Sequence, residues 1–265
     1  MPLVATEAVV LHAQLYSESS RILRLATRAH GVVSVMAKGA RKAQRRFGSA
    51  VDLFAEGDAS YYAKSGRELH TLAAFEVTRA RIALGRDLDR FTTAAVLAEL
   101  VLRFGRDEPD PAWYGALVAA LDAVTAASAG ATREAGLAGA WALVGALGFT
   151  PSLDACARCG RALDAGAAVR FSQPLGGALC DTCARLGGTT RTLPAAARAS
   201  LRTWLGAEPH EPAGGAVPME DGTVRAHQRL LREFLREHLT DGRPLRAFDA
   251  WEASALESAG QRSRT

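Results

Sequence analysis

Arg21-Ile22-Leu23-Arg24-Leu25-Ala26-Thr27-Arg28-Ala29-His30-Gly31-Val32-Val33-Ser34-Val35-Met36 decides how this chain begins. Arg21–Thr27 alternates around Ile22, Leu23 and Leu25, and Gly31–Met36 carries Val32, Val33 and Val35, residues that suit a pleated, half-buried backbone. Ala29-His30-Gly31 between them has turn chemistry. Two short strands are therefore expected, and the pattern extends in both directions. Val4–Leu11 precedes them. Val51–Phe54 and Ala59–Tyr62 form a longer stretch broken at Gly57, and Leu69–Val77 closes the set. Ser17–Ser20, Gly39 and Ser65-Gly66 mark the remaining turns. Five short strands within residues 3–80 fit a small closed barrel of the OB type better than an open sheet, because closure removes the edges that invite aggregation.

Beyond residue 80 the period changes to that of helices. Leu88, Phe91, Ala95, Leu97/Ala98 and Val101/Leu102 recur at helical spacing over Asp87–Phe104, with Asp87 as N-cap. The acidic, Pro-containing loop Asp107–Pro111 ends this helix. Ala112–Ala127, Arg133–Leu147, Pro194–Leu205 and Thr223–Leu239 read as further helices. Gly148 stands at a C-cap with Pro151 beyond it, and a Gly/Pro-rich connector covers 206–222. The chain is expected to fray after about Ser254. The fold class is thus α+β: an N-terminal five-stranded OB-fold β-barrel (1–80), then a mostly helical domain (81–256) with a zinc-ribbon-like insertion at 151–189, and a flexible tail at 257–265.

Of the 265 residues, 48% are hydrophobic and 23% charged, values ordinary for a globular protein able to bury a sizeable core. No stretch approaches the ~18 uninterrupted apolar residues of a membrane helix. Met1–Glu7 has neither the basic nor the apolar region of a signal peptide, so a cytoplasmic protein is expected. The net charge is +4, and its placement is informative. Residues 1–80 hold 11 basic and 7 acidic side chains, whereas 81–265 hold 21 of each. Arg21–Arg46 contains eight basic residues and no Asp or Glu.

A positive field confined to one small domain suits a polyanion. Lys38, Arg41, Lys42, Arg45 and Arg46 would project from the barrel rim after the sharp strand exit at Gly39, with Arg21, Arg24 and Arg28 on the second strand extending the path. Strict alternation puts Arg24 and Arg28 on one face and Arg21 on the other, unless a bulge intervenes. Tyr16, Phe47, Tyr61 and Tyr62 are candidate platforms for unpaired bases. Each is as readily a core residue, and the Tyr61-Tyr62 pair must split, one in and one out. The bland reading of the whole run is a solvated charged face.

Cys156-Ala-Arg-Cys159 and Cys180-Asp-Thr-Cys183 form two C-x2-C pairs with 20 residues between them. This is the spacing of a four-thiolate zinc site, because two tight knuckles can complete one tetrahedron. Four thiolates leave no open coordination position, so the expected role is structural, one zinc per chain. A redox C-x-x-C is the alternative, although the βαβ context it normally occupies is absent. Val169-Arg170-Phe171 and Gly176–Leu179 could form a short hairpin between the knuckles.

Arg225, Arg229, Arg232 and Arg236 form a stripe on Thr223–Leu239. Glu233 and Glu237 can pair with them, which favours a solvated face over a docking surface for an acidic peptide or phosphate. The six histidines make no ligand spacing with a carboxylate. There is no phosphate-binding G-x-x-x-x-G-K-[ST] loop, G-x-S-x-G elbow or H-E-x-x-H motif, and a binding protein rather than an enzyme is expected.

Three blocks, Ser17-Glu18-Ser19-Ser20-Arg21-Ile22, Thr27-Arg28-Ala29-His30-Gly31 and Ala37-Lys38-Gly39-Ala40-Arg41-Lys42, resemble in order and spacing the RecO family of bacterial recombination mediators. The double C-x2-C is similar to that of zinc-bearing members, and Gly242-Arg243-Pro244-Leu245-Arg246 resembles the family's C-terminal turn. Where many relatives read Lys-Pro-Lys-Ser, this chain reads Lys42-Ala43-Gln44-Arg45. The resemblance implies a non-enzymatic DNA repair protein that binds single- and double-stranded DNA and anneals complementary strands. It implies contacts with the acidic C-terminal tail of single-strand-binding protein and with RecR, loading of the RecA recombinase, and association with the nucleoid. Lys38, Arg41 and Lys42 match the family's basic block. A protein-docking hub with minor DNA contacts, a zinc-ribbon RNA-binding factor and a metal nuclease are the rival readings.

Overall fold

A computed structural model describes residues 2–39, 52–63, 66–105, 110–128, 130–206, 219–239 and 243–262. Most of the acidic loop 107–111, most of the 206–222 connector and Gly242 lie outside these residues. Five strands, β1 (Leu3–Leu15), β2 (Arg21–Thr27), β3 (Gly31–Ala37), β4 (Glu56–Tyr62) and β5 (Leu69–Arg79), close in the order β1-β2-β3-β5-β4. Every pairing is antiparallel except β3 with β5. This is an OB-like barrel. Period-2 alternation builds it: Leu23 and Leu25 of β2 and Val33 and Val35 of β3 point inward to a core that also holds Phe75.

The sequence reading breaks the fourth strand at Gly57. The strand instead begins at Glu56 and runs through that residue. A Cβ at Gly57 would lie 2.1 Å from the Glu76 carbonyl oxygen, so glycine marks a close approach of β4 to β5. Leu53 and Phe54, expected in this strand, form a turn, and Phe54 is buried with φ 68. Its N–H donates to the Val10 carbonyl at 2.7 Å, and its ring meets Phe91 edge-on.

Among the described residues, seven α-helices follow: α1 (Leu88–Phe104), α2 (Pro111–Ala126), α3 (Thr132–Ala146), α4 (Asp181–Ala184), α5 (Ala195–Trp204), α6 (Asp221–His238) and α7 (Arg246–Arg262). Their ends follow side-chain chemistry. Asp87 accepts from the Arg90 N–H at 2.9 Å, Asp110 caps α2 ahead of Pro111, and Gly148 takes φ 91 just past α3. Helix α3 approaches α2 closely: a Cβ at Gly139 would stand 2.5 Å from the Ala120 Cβ. Helix α7 is a correction, since no helix was expected there. Phe248 and Trp251 are fully buried, and Glu252, Ala253, Ala255, Leu256 and Glu257 are good helix formers, so the helix continues past Ser254 to Arg262.

A three-stranded sheet, β7-β6-β8, made of β6 (Val169–Ser172), β7 (Gly177–Leu179) and β8 (Thr190–Leu193), carries the cysteines. The expected hairpin is β6–β7, and β8 is an added strand.

The barrel encloses its own core, and the outer face of its strands joins the core of the helices. Val9, Leu11, Ala26 and Val32, on the outer face of β1–β3, belong to the same buried cluster as Leu97 and Val101 of α1. Arg81 rivets this junction. It is buried, with φ 39, and donates to the Phe54 carbonyl (3.0 Å), Glu56 (2.5 Å) and Asp122 of α2 (2.8 Å). Arg79 also pairs with Asp122. Burial alone would raise the Asp122 pKa, but these two guanidiniums outweigh it and hold the carboxyl below its ordinary value.

Candidate nucleic-acid interface and metal centre

The outer face of β1–β3 is divided. A bulge at Val10/His12 lets Leu11 and His12 both face outward. One half of the face lies beneath α1, and a Cβ added at Gly105 would touch Val32 Cγ2 at 3.2 Å. The other half carries His12, Gln14, Ile22, Arg24, Ser34 and Met36, none of them buried. His12 pairs across from Arg24, which pairs across from Ser34. This half leads to the rim where Arg21 stands opposite Ala37, next to the exposed Lys38. The β1–β2 loop closes the same rim. Tyr16 N–H donates to the Ser20 carbonyl at 3.0 Å, while the Tyr16 side chain is 62% exposed. The β2–β3 surface and this loop are where barrels of this type hold oligonucleotides.

The structure thus groups Arg21, Arg24 and Lys38 on one part of the barrel. Arg28 stands apart, past the far end of β2, about 23 Å along the strand from Arg21 at ~3.3 Å per residue. Its Nε donates to Glu7 at 2.7 Å, and its guanidinium lies 4.8 Å from the centre of the Tyr114 ring in α2. The hydrogen bond to Glu7 holds the Arg28 pKa above its ordinary value. These partners make Arg28 part of the barrel–helix contact. Arg41, Lys42, Arg45 and Arg46, with Phe47, lie outside the described residues. The two tyrosines split as alternation requires: Tyr61 is buried and stacked on His70, with ring centroids 5.4 Å apart, and Tyr62 is exposed.

At the metal centre, the Sγ atoms of Cys156, Cys159, Cys180 and Cys183 all lie within 4.8 Å of one another. Cys159 Sγ and Cys180 Sγ are 3.8 Å apart. Tetrahedral thiolates at ~2.3 Å from one zinc ion would be separated by about 3.8 Å, so the donor set fits such an ion. The local chain explains this geometry. Gly160, at φ 71, donates its N–H to the Cys156 carbonyl at 2.8 Å and closes the first knuckle. Cys180 precedes α4, and the Ala184 N–H donates to its carbonyl at 2.9 Å. Burial would raise the Cys156 thiol, but the backbone N–H groups of Cys180, Cys159 and Arg158 outweigh it and bring the pKa down to about 6. Burial and the neighbouring sulfurs push Cys183 up to about 12. Four crowded sulfurs cannot all ionise without a cation among them.

Arg198 holds this loop in place and was not singled out from the sequence. It is fully buried on α5 and donates to the carbonyls of Leu153 (2.9 Å), Ala167 (3.2 Å) and Asp164. The signal was its spacing, since Arg198, Leu201 and Leu205 share one helical face. Arg81 had no such signal. On α6, Arg225, Arg229 and Arg236 are exposed as the solvated reading requires. Arg232 instead bridges Asp249 (2.6 Å) and Glu252 (2.9 Å) of α7, and Glu233 pairs with Arg191. Among the described residues, no helix is long and apolar enough to cross a membrane.

Two family models match the chain: Recombination protein O N terminal over residues 1–81 and Recombination protein O C terminal over residues 85–247. The DNA repair protein RecO of Anaeromyxobacter sp. (strain K) is 40% identical over 252 residues, covering 93% of this chain and 95% of the relative. That of Anaeromyxobacter dehalogenans (strain 2CP-1 / ATCC BAA-258) is 41% identical, covering 90% and 92%. That of Myxococcus xanthus (strain DK1622) is 32% identical, covering 92% and 94%.

Proposed function

We propose that this chain, which belongs to the RecO family, is a DNA repair protein acting by non-covalent DNA binding at the open half of its barrel. The observation that carries the reading is the grouping of Arg21, Arg24 and Lys38 beside an exposed Tyr16, at the rim from which an acid-free run of basic residues departs. Lys38, Arg41, Lys42, Arg45 and Arg46 hold backbone phosphates there, and Arg24 continues the path along β2. Arg28, half-exposed and paired with Glu7, stands apart from this group.

Neutralising phosphates on two strands lowers their repulsion and lets complementary strands anneal. No step makes or breaks a covalent bond. Zinc is the ion that the four cysteines would hold, one per chain, and with its coordination closed it supplies folding energy rather than catalysis. The helical domain recruits RecR and the acidic tail of single-strand-binding protein, so that RecA loads at DNA in the nucleoid.

Fluorescence anisotropy of a labelled single-stranded oligonucleotide across a salt series tests the site. Each phosphate contact on a single strand contributes about 0.7 to the log–log slope, so Lys38→Ala/Arg41→Ala/Lys42→Ala is expected to flatten it by about 2. An unchanged slope in the triple variant removes these residues from the interface.

A further inference from the structure

We propose a second phosphate-binding surface, on the cysteine knuckles, formed by Arg158, Arg161 and Arg185. It rests on the DNA-binding reading above and adds a site to it. The two knuckles repeat one pattern. Cys159-Gly160-Arg161 and Cys183-Ala184-Arg185 each place an arginine two residues past the second cysteine, and Arg158 lies inside the first pair. All three are exposed.

Most of the neighbouring charges are already engaged elsewhere. Arg191 pairs with Glu233, and Arg170 donates to the hydroxyls of Thr190 and Thr192. Asp154 pairs with Arg202 at 3.0 Å, and an Asp164 carboxylate oxygen accepts from the Gly166 N–H. Asp181 is exposed in the first turn of the four-residue α4. Arg185 donates to its backbone carbonyl, not to its carboxylate. Arg158, Arg161 and Arg185 therefore have no acidic partner among the described residues.

Three guanidiniums without acidic partners, on two rigid turns, suit phosphate oxygens, which arginine grips bidentately. An acidic peptide would also need a pocket for its apolar anchors. Leu186, 67% exposed beside Arg185, protrudes instead. A protruding apolar side chain beside a cation can lie against unpaired bases while the cations hold the backbone. With one site on the barrel and one on the knuckles, a single chain holds two segments of nucleic acid. The second contact then forms at high effective concentration.

The test uses the full chain with metal bound, the barrel triple variant, and Arg158→Ala/Arg161→Ala/Arg185→Ala. The probe is labelled oligothymidylate of about 60 nucleotides, several times the ~16 that one barrel covers. The knuckle variant is expected to retain its metal and its melting temperature, and to lose about 2 from the log–log salt slope. Combining the two sets of substitutions should flatten the slope further than either alone. A knuckle variant with wild-type slope overturns this site while leaving the barrel reading intact, and wild-type protein that ignores the probe overturns both. If the knuckle variant releases metal with its slope unchanged, the arginines serve only to offset the thiolate charge. If it loses only affinity for a hexa-aspartate peptide, the surface belongs to an acidic protein tail. Either result overturns the proposal.

Discussion

Replacing Arg81 with alanine should loosen the barrel from the helices. The side chain satisfies three acceptors at once: the Phe54 carbonyl, Glu56 and Asp122. Phe54 is buried, so its orphaned carbonyl costs ~1–3 kcal/mol. The carboxylates of Glu56 and Asp122 are 15% and 35% exposed and can recruit water, and Arg79 still pairs with Asp122. Each then adds no more than ~1 kcal/mol. The net loss is ~1–5 kcal/mol, or ~2–20 °C in melting temperature at ~2–4 °C per kcal/mol for a chain near this size.

Glycine should be milder than alanine by ~1 kcal/mol, because position 81 has φ 39 and a Cβ is strained there. Urea unfolding followed by tryptophan fluorescence reads the helices, since Trp113, Trp141, Trp204 and Trp251 all lie beyond the barrel. Circular dichroism reads the whole chain. Wild type should show coincident transitions and Arg81→Ala separated ones. The coupling also has a defined acid limit. Because the folded Asp122 pKa is depressed, its contribution is complete above the unfolded value of ~3.9 and disappears as pH falls through the lower folded one. An alanine variant within ~0.5 kcal/mol of wild type, or a glycine variant less stable than alanine, would refute this account.

Two further outcomes are expected. Elemental analysis should find one zinc per chain; chelation should expose residues 155–168 to protease, and Arg198→Met, which orphans up to three carbonyls, should cost ~2–4 kcal/mol and speed metal release. A metal-free protein with an unchanged protease pattern would count against the knuckle geometry. His227, 2% exposed and with neither ring nitrogen hydrogen-bonded among the described residues, is held down to about 4 by burial. Its contribution to stability should therefore be complete above ~6.5 and fall by about 3 kcal/mol as pH drops to ~4. His227→Phe should flatten that slope in chemical denaturation, and a slope shared by both proteins would assign the pH dependence to other groups.

Local pattern carried most of the architecture. Alternation around Leu23, Leu25, Val33 and Val35 is enough to specify two strands and their inward faces, because side-chain direction in a strand depends on parity alone. Asp87 as a cap, Gly148 after α3 and the two C-x2-C knuckles are likewise local, each set by residues within one turn of the chain. Gly57 misled for the opposite reason. A glycine in a strand-like run reads as a break unless the neighbouring strand is known to come within 2.1 Å of the missing Cβ. Helix α7 was hidden because its short apolar face, Phe248 and Trp251, has meaning only against α1.

The basic segment shows the same division. From the sequence, Arg24, Arg28 and Lys38 are three equivalent cations on or beside two strands. In the fold, Lys38 joins Arg21 at an open rim, Arg24 lies on the uncovered half of the outer face, and Arg28, half-exposed, pairs with Glu7 and lies over the Tyr114 ring. Local sequence sets most of the elements, the inward faces of the barrel strands, the thiolate set and the sign of charge in the first domain. These depend on neighbours a few residues apart. The packing of those elements decides which half of the barrel α1 covers, which arginines are held by acids and which face solvent. A cation's role depends on whether an acid or a ring stands within a few ångströms, and those partners come from residues 21 to 86 positions away in the chain.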